Sequence, residues 1–150
     1  AIRISYGDFS WYTGGDIKSE LTEDAVAKAC GPTDVVVCNH HAYKDAMHSS
    51  FISQMQAKAY VVPVWDYYHP ESEPLKLMLS DLYPGDRMVF AAGLVENNRI
   101  RLGENGEKIK PAGHIMVRVY EGGKTWQVFV LNDTSTDYNI IYKTDILQSK

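Results

Sequence analysis

Cysteine is scarce in this chain: Cys30 and Cys38 are the only two in 150 residues. No disulfide framework can be built from two cysteines, so folding has to rest on a buried core. Cys30 falls at the expected end of a helix and Cys38 on the following strand, and two buried free thiols are favoured over a Cys30–Cys38 bridge. Long apolar runs are also missing. Nothing approaches the ~20 consecutive apolar residues of a membrane-crossing helix, and no charged N-terminal segment leads into an apolar stretch. Basic clusters are missing too. Lys and Arg number 15 against 19 Asp and Glu, giving a formal net charge of −4, and no basic cluster is longer than two residues. That balance excludes an extended nucleic-acid surface while leaving room for a pocket that takes one phosphodiester.

What is present is enough for one domain. With 45% hydrophobic residues, a globular chain of this size buries roughly 70% of its unfolded surface. The chain opens inside a strand, the pattern of a mature product or an excised piece. Ile2, Ile4 and Tyr6 alternate with polar residues, Gly7-Asp8 turns, and Phe9 and Trp11 resume the period of two, which predicts a hairpin. Thr22 is positioned to cap a helix with Leu21, Ala25, Val26 and Ala29 on its inner side and Gly31-Pro32 as its stop. The strand Asp34 to Cys38 follows. A second helix is expected from about Asp45, carrying His48 and a Met47, Phe51, Met55 stripe, then a strand from Ala59 to Val64. A third is expected after His69-Pro70 with Leu75, Met78, Leu79 and Leu82, then the strand Arg87 to Ala91. Three helix-then-strand units in succession predict an α/β layered core. Beyond Gly93 the sequence turns polar and turn-rich, with a weak boundary near 93–112. A second hairpin then spans His114 to Tyr120 and Thr125 to Leu131, with Tyr138 to Tyr142 as a further strand.

Chemistry concentrates at strand ends. Cys38-Asn39-His40-His41 closes the apolar run Val35-Val36-Val37, and Gly14-Gly15-Asp16 closes the first hairpin. Imidazole and carboxylate suit zinc, iron or manganese, and a carboxylate can bridge two cations. In layered α/β folds ligands gather outside the carboxyl ends of strands. Residues adjacent in extended chain point to opposite faces, so His40 and His41 are expected to differ in role, with His41 favoured as ligand. Plainer readings stand beside these: a turn with backbone-bonded imidazoles for the His pair, and a tight turn with a capping aspartate for Gly-Gly-Asp. His48 and His114 read as ordinary residues. Trp65-Asp66-Tyr67-Tyr68 reads as edge packing ahead of an aromatic platform for a base or sugar.

Four segments together, Trp11 to Ile17, Asp34 to His41, Tyr60 to Val64 and His69-Pro70-Glu71, resemble in order and spacing the C-terminal half of a metallo-β-lactamase-fold hydrolase, in the branch of the bacterial ComEC-like competence proteins. The resemblance covers residues 2–92. It implies half of an αββα sandwich, with residues 1–92 as the family-like part and 93–150 as a β-rich extension of one domain. It also implies two divalent metal ions, zinc foremost, in the complete protein. Asp16 then matches the bridging aspartate, and His41, or alternatively His40, the last metal-binding histidine. Beside that match, His40 and His69 are candidate catalytic groups and Tyr43 or Lys44 could orient a substrate oxyanion at the same corner, while the plainer readings make His69 a helix-entry residue before Pro70 and Tyr43 and Lys44 surface residues at a helix start. Phosphodiester and ester hydrolysis both occur on the fold, so the fold alone does not choose between them.

Two departures qualify the match. The family's His-x-His-x-Asp-His motif should precede Asp16, yet no histidine precedes His40. Relatives carry Gly-Ser where this chain has Ala42-Tyr43. A closed ligand shell therefore cannot be assembled from this chain. The expectation is a half-site partnered by an N-terminal half of the same fold, inactive alone, with an uncovered apolar face that could support a homodimer. A non-catalytic interaction module using Asp133 to Tyr142, or an unrelated α/β domain, are the alternatives.

Overall fold

The computed structural model describes residues 1–150 and has a mixed α/β architecture in three layers. The first sheet contains β1 (Ile2–Tyr6), β2 (Phe9–Thr13), β3 (Val35–Val37), β4 (Ala59–Val62) and β5 (Met88–Ala91), in chain order across the sheet. β1 and β2 form the antiparallel hairpin, and β2 through β5 run parallel. Parallel neighbours require crossovers, supplied here by α1 (Glu20–Cys30), α2 (Ser49–Met55) and α3 (Ser72–Leu79).

Strand alternation sorts side chains between two cores. Tyr12, Val36, Tyr60, Val62, Val89 and Ala91 face the helices, where Phe51, Ile52, Met55, Leu75 and Met78 meet them. Phe9, Val35, Ala59, Val61 and Phe90 face the other way, onto a second, antiparallel sheet. That sheet is formed by β6 (His114–Val119), β7 (Thr125–Leu131), β8 (Ile140–Lys143) and β9 (Leu147–Gln148), with β9 paired to β7. Trp126, Val128 and Val130 of β7 fill the interface, and Trp126 meets Phe9 edge-on at 5.7 Å. Central strands covered on both faces explain why the β3 run is uninterrupted valine.

The hairpin turns of the two sheets interlock. A Cβ on Gly123 would lie 1.7 Å from the Tyr6 carbonyl oxygen, and one on Gly7 1.9 Å from that of Gly122, so only glycine permits the backbones to approach. The outer edge of the first sheet is open: all of β1 is exposed, with Ile2 at 61%, Ile4 at 56% and Tyr6 at 53%. No helix is long and apolar enough to cross a membrane, and both cysteines are free thiols.

Several local expectations are corrected. α1 starts at Glu20, ahead of Thr22, and buries Glu23 and Ala27 while Leu21 is 86% exposed. The apolar stripe is displaced because the inner face is occupied by a carboxylate with many donors around it. α2 starts at Ser49, so Met47 is buried in the turn before it and His48 stands just ahead of the first turn. α3 stops at Leu79, leaving Leu82 outside the helix. The polar stretch after Gly93 forms two short helices, α4 (Glu96–Leu102) and α5 (Glu104–Glu107).

Candidate functional site

The carboxyl ends of β2, β3 and β4 open at one rim, as parallel pairing requires, and each continues into a segment bearing polar or aromatic side chains. Asp16 follows β2, His40 and His41 follow β3, and Trp65 to His69 follow β4. Asp16, His40, His41, Tyr43, Trp65, Tyr68 and His69 together line a cleft of about 660 Å³. That size lies in the range of small-molecule sites.

A left-handed turn brings the histidines together. His40, His41 and Ala42 have φ of 43°, 55° and 56° in succession, a conformation that costs non-glycine residues roughly 1–2 kcal/mol each. The premise that the two histidines alternate as in extended chain therefore fails. β3 ends at Val37, and both rings enter the same cleft with centroids 6.2 Å apart.

A buried polar network holds this turn. Tyr12 Oη donates to Asn39 Oδ1 at 3.0 Å, and Asn39 Nδ2 donates to Glu23 Oε1 at 2.7 Å. Glu23, fully buried, also accepts from the Met47 amide at 2.8 Å, the His48 amide at 2.9 Å and His48 Nδ1 at 2.6 Å. Both ends of the segment from Asn39 to His48 are thus tied to one carboxylate on α1. Burial pushes the Tyr12 hydroxyl up to about 12, against the hydrogen bond to Asn39. Gly14 is required by the same network, because a Cβ there would lie 2.1 Å from Asn39 Oδ1 and 2.3 Å from Tyr12 Oη. The Gly15 carbonyl accepts from the His40 amide at 2.9 Å, joining the Gly-Gly-Asp turn to the His turn.

The partners of the rings specify their tautomers. His40 Nδ1 donates to Asp45 Oδ1 at 2.7 Å, and His41 Nδ1 donates to the Pro63 carbonyl at 2.6 Å. Carboxylate and carbonyl oxygens can only accept, so each Nδ1 carries a proton and each neutral ring presents a lone pair at Nε2. For Asp45 burial raises the carboxyl pKa, but the hydrogen bond from His40 and the nearby Lys18 charge hold it below its usual value. His69 is the reverse case: its Nδ1 accepts from the Asp66 amide at 3.1 Å, so the neutral ring carries its proton on Nε2. Burial, then the neighbouring His41, depress the His69 pKa below the usual 6.5, against the pull of Asp66. Its ring stacks on His41 with centroids 5.3 Å apart.

His41 Nε2 faces Asp16 Oδ1 at 3.4 Å. A lone pair and a carboxylate at that separation favour a proton or a cation between them. No protein-family model, curated protein or solved structure matches this chain. The reading of the cleft therefore rests on its own geometry. Asp16 and His41 suit a divalent ion by donor type, and no set of three His, Cys, Asp or Glu side chains converges here or elsewhere in the chain.

The remaining sequence-derived residues divide. Tyr43 lines the cleft, its ring 5.6 Å from His40 and 5.7 Å from His69. Lys44 is exposed outside the lining, with Nζ 5.4 Å from the Tyr43 ring. His114 opens β6 and meets Tyr138 at 5.6 Å. The sequence favours edge packing over an aromatic platform for Trp65 to Tyr68 and so leaves Trp65 and Tyr68 out of the site. Edge packing does not describe this segment, because Trp65 is 80% and Tyr67 69% exposed. The available signal was position, since Trp65 follows β4 as His40 follows β3.

Proposed function

We propose that this chain is the C-terminal portion of a metal-dependent hydrolase of the metallo-β-lactamase superfamily, ComEC-like in its motifs, cleaving phosphodiester or ester bonds. The observation that carries the reading is the Asp16–His41 contact. Two donor atoms on one zinc-type ion at ~2.0–2.2 Å, at a tetrahedral angle, stand about 3.3–3.6 Å apart, and His41 Nε2 and Asp16 Oδ1 are 3.4 Å apart. Ligating imidazoles characteristically donate their second nitrogen to a carbonyl or carboxylate, as His41 does to Pro63 and His40 to Asp45. The helix layer and two packed sheets support half of an αββα sandwich.

In this reading Asp16 and His41, with His40 beside them, would hold divalent ions such as zinc. Bound there, two such ions would lower the pKa of a water toward ~7 and polarise the bond under attack. His69, neutral with its proton on Nε2, donates toward a leaving group or an oxyanion. Tyr43 offers a hydroxyl to the substrate, and Lys44, outside the lining, a cation beside the Tyr43 ring. The missing ligands come from an N-terminal half bearing His-x-His-x-Asp-His. The exposed Ile2, Ile4 and Tyr6 stripe is the surface such a half, or a second copy, would cover. The isolated portion is inactive.

The same contact is an ion pair whenever His41 is protonated, and this favours a second reading, a non-catalytic binding module that keeps the fold. Zinc titration followed by calorimetry separates the two. The hydrolase half should bind zinc weakly and substoichiometrically, and lose that binding in Asp16→Ala and His41→Ala. Two tightly held zinc ions per chain would overturn the half-site reading, and zinc affinity indifferent to both substitutions would favour the module.

A further inference from the structure

We infer that the rim of the cleft formed by Trp65 and Tyr68 is a stacking site for a planar ring on a mononucleotide-sized substrate, an inference that rests on the cleft being the substrate site of a hydrolase. The loop carrying these aromatics is held in place by its polar groups. The Asp66 amide donates to His69 Nδ1 at 3.1 Å, the His69 amide returns to the Asp66 carbonyl at 3.0 Å, and the Tyr67 amide bonds to Asp66 Oδ1 at 2.6 Å. From α4, buried Asn98 donates to the His69 carbonyl at 2.8 Å, and Arg101 donates to the carbonyls of Tyr68 at 2.8 Å and Pro70 at 3.1 Å.

The Trp65 side chain contributes little to that scaffold. Trp65 leaves 80% of its surface in water although an indole can bury about 150–250 Å². Its ring stands 6.3 Å from His41 at an interplanar angle of 31°, which leaves an indole face open beside the chemistry-bearing side chains. Tyr68 forms the adjoining wall, 4.9 Å from His69 and 5.7 Å from Tyr43. A ring stacked on the Trp65 indole would lie beside His41, in the cleft that Trp65 and Tyr68 share with His41 and Asp16. Stacking is tolerant of ring identity, so a nucleobase is the natural occupant among ligands that also carry a phosphoester. A cleft of about 660 Å³ on a chain of net charge −4 fits a mononucleotide and not a tracked polymer.

The test compares adenosine 5′-monophosphate with ribose 5-phosphate, which has the same sugar and phosphate without the ring. Calorimetry on the intact protein, with and without zinc, should give the nucleotide roughly 5- to 150-fold tighter binding. Trp65→Ala should erase that preference, and Trp65→Phe should retain part of it. Unchanged melting temperatures establish that the variants fold, and proton Overhauser contacts between adenine and the Trp65 indole give a readout independent of affinity. Equal affinities, a preference that survives Trp65→Ala, or no detectable nucleotide binding would each overturn the inference. Since hydrolysis is not measured, the two ideas can fail separately. A chain that discriminates the ring while its zinc affinity is indifferent to Asp16→Ala and His41→Ala loses only the hydrolase reading, and one whose zinc binding depends on both residues yet ignores the ring loses only the stacking site.

Discussion

His41 and Asp16 meet at 3.4 Å across the mouth of the cleft, with the opposite nitrogen of His41 held by the Pro63 carbonyl at 2.6 Å. The ring is oriented by a backbone atom of the next strand's end, so its free nitrogen is aimed by the fold before any ligand arrives. A ligand that binds only the folded state raises the melting temperature by mass action. Added zinc is therefore expected to raise the melting temperature of the native protein and to raise that of Asp16→Ala or His41→Ala by less, as followed by circular dichroism. Equal shifts in all three would dissociate zinc from this pair.

Glu23 is the anchor of the turn beneath the site. Four donors converge on its carboxylate. Glu23→Gln keeps the shape but turns an amide NH2 toward a backbone N–H, that of Met47 or of His48, which cannot accept. Hydrogen bonds to charged groups contribute about 1.5–3 kcal/mol, and an unpaired buried donor costs a similar amount. The expected loss is about 2–4 kcal/mol, read in urea unfolding, with a fall of roughly 5–15 °C in melting temperature.

Gly14→Ala should cost about 1–3 kcal/mol through overpacking, since the new methyl would meet Asn39 Oδ1 and Tyr12 Oη at 2.1 and 2.3 Å. Removing one of the clashing atoms with Tyr12→Phe should recover part of that loss. The double variant would then be less destabilised than the sum of the singles, a coupling that a double-mutant cycle measures directly. Strict additivity would mean the methyl is accommodated elsewhere.

Asp34 supplies a pH signature. It accepts from the Ser10 amide at 2.9 Å, Ser10 Oγ at 3.2 Å and the Lys150 amide at 3.1 Å. Burial nevertheless raises its carboxyl above the usual 3.8, outweighing the Ser10 hydrogen bonds and the Lys58 charge. The folded state therefore binds this proton more tightly than the unfolded chain. Its stabilising contribution is full below 3.8 and is lost as pH rises through the folded value. Relative to the native protein, Asp34→Asn should gain stability as pH rises across that window and then level off, measured by urea denaturation at successive pH values. A difference that stays flat with pH would show the carboxyl to be unperturbed.

Period-two alternation marked the two hairpins and short apolar runs marked the central strands, and both stand close to where the sequence places them. The inner face of α1 was not. Leu21 belongs by periodicity to the core, yet Glu23 takes that place because the amides of Met47 and His48, distant in sequence, need an acceptor. The helices α4 and α5 were hidden in polar sequence because they bury little, Asn98, Leu102 and Gly106 among them. The residue types and order of the candidate site could be read, but Trp65 and Tyr68 could not be assigned to it, since exposure is a property of neighbours.

The sequence by itself determined the α/β class, the strand ends that carry Asp16, His40, His41 and His69, and the exclusions that follow from charge and cysteine content. These depend on local alternation, turn chemistry and composition, which are properties of short stretches. Only the tertiary structure decided that the two histidines share one cleft, that Glu23 organises the turn beneath them, and that the β4 aromatics form its rim. Each of these depends on the parallel register of β2, β3 and β4, which brings segments some 20 to 30 residues apart in the chain to one edge of the sheet.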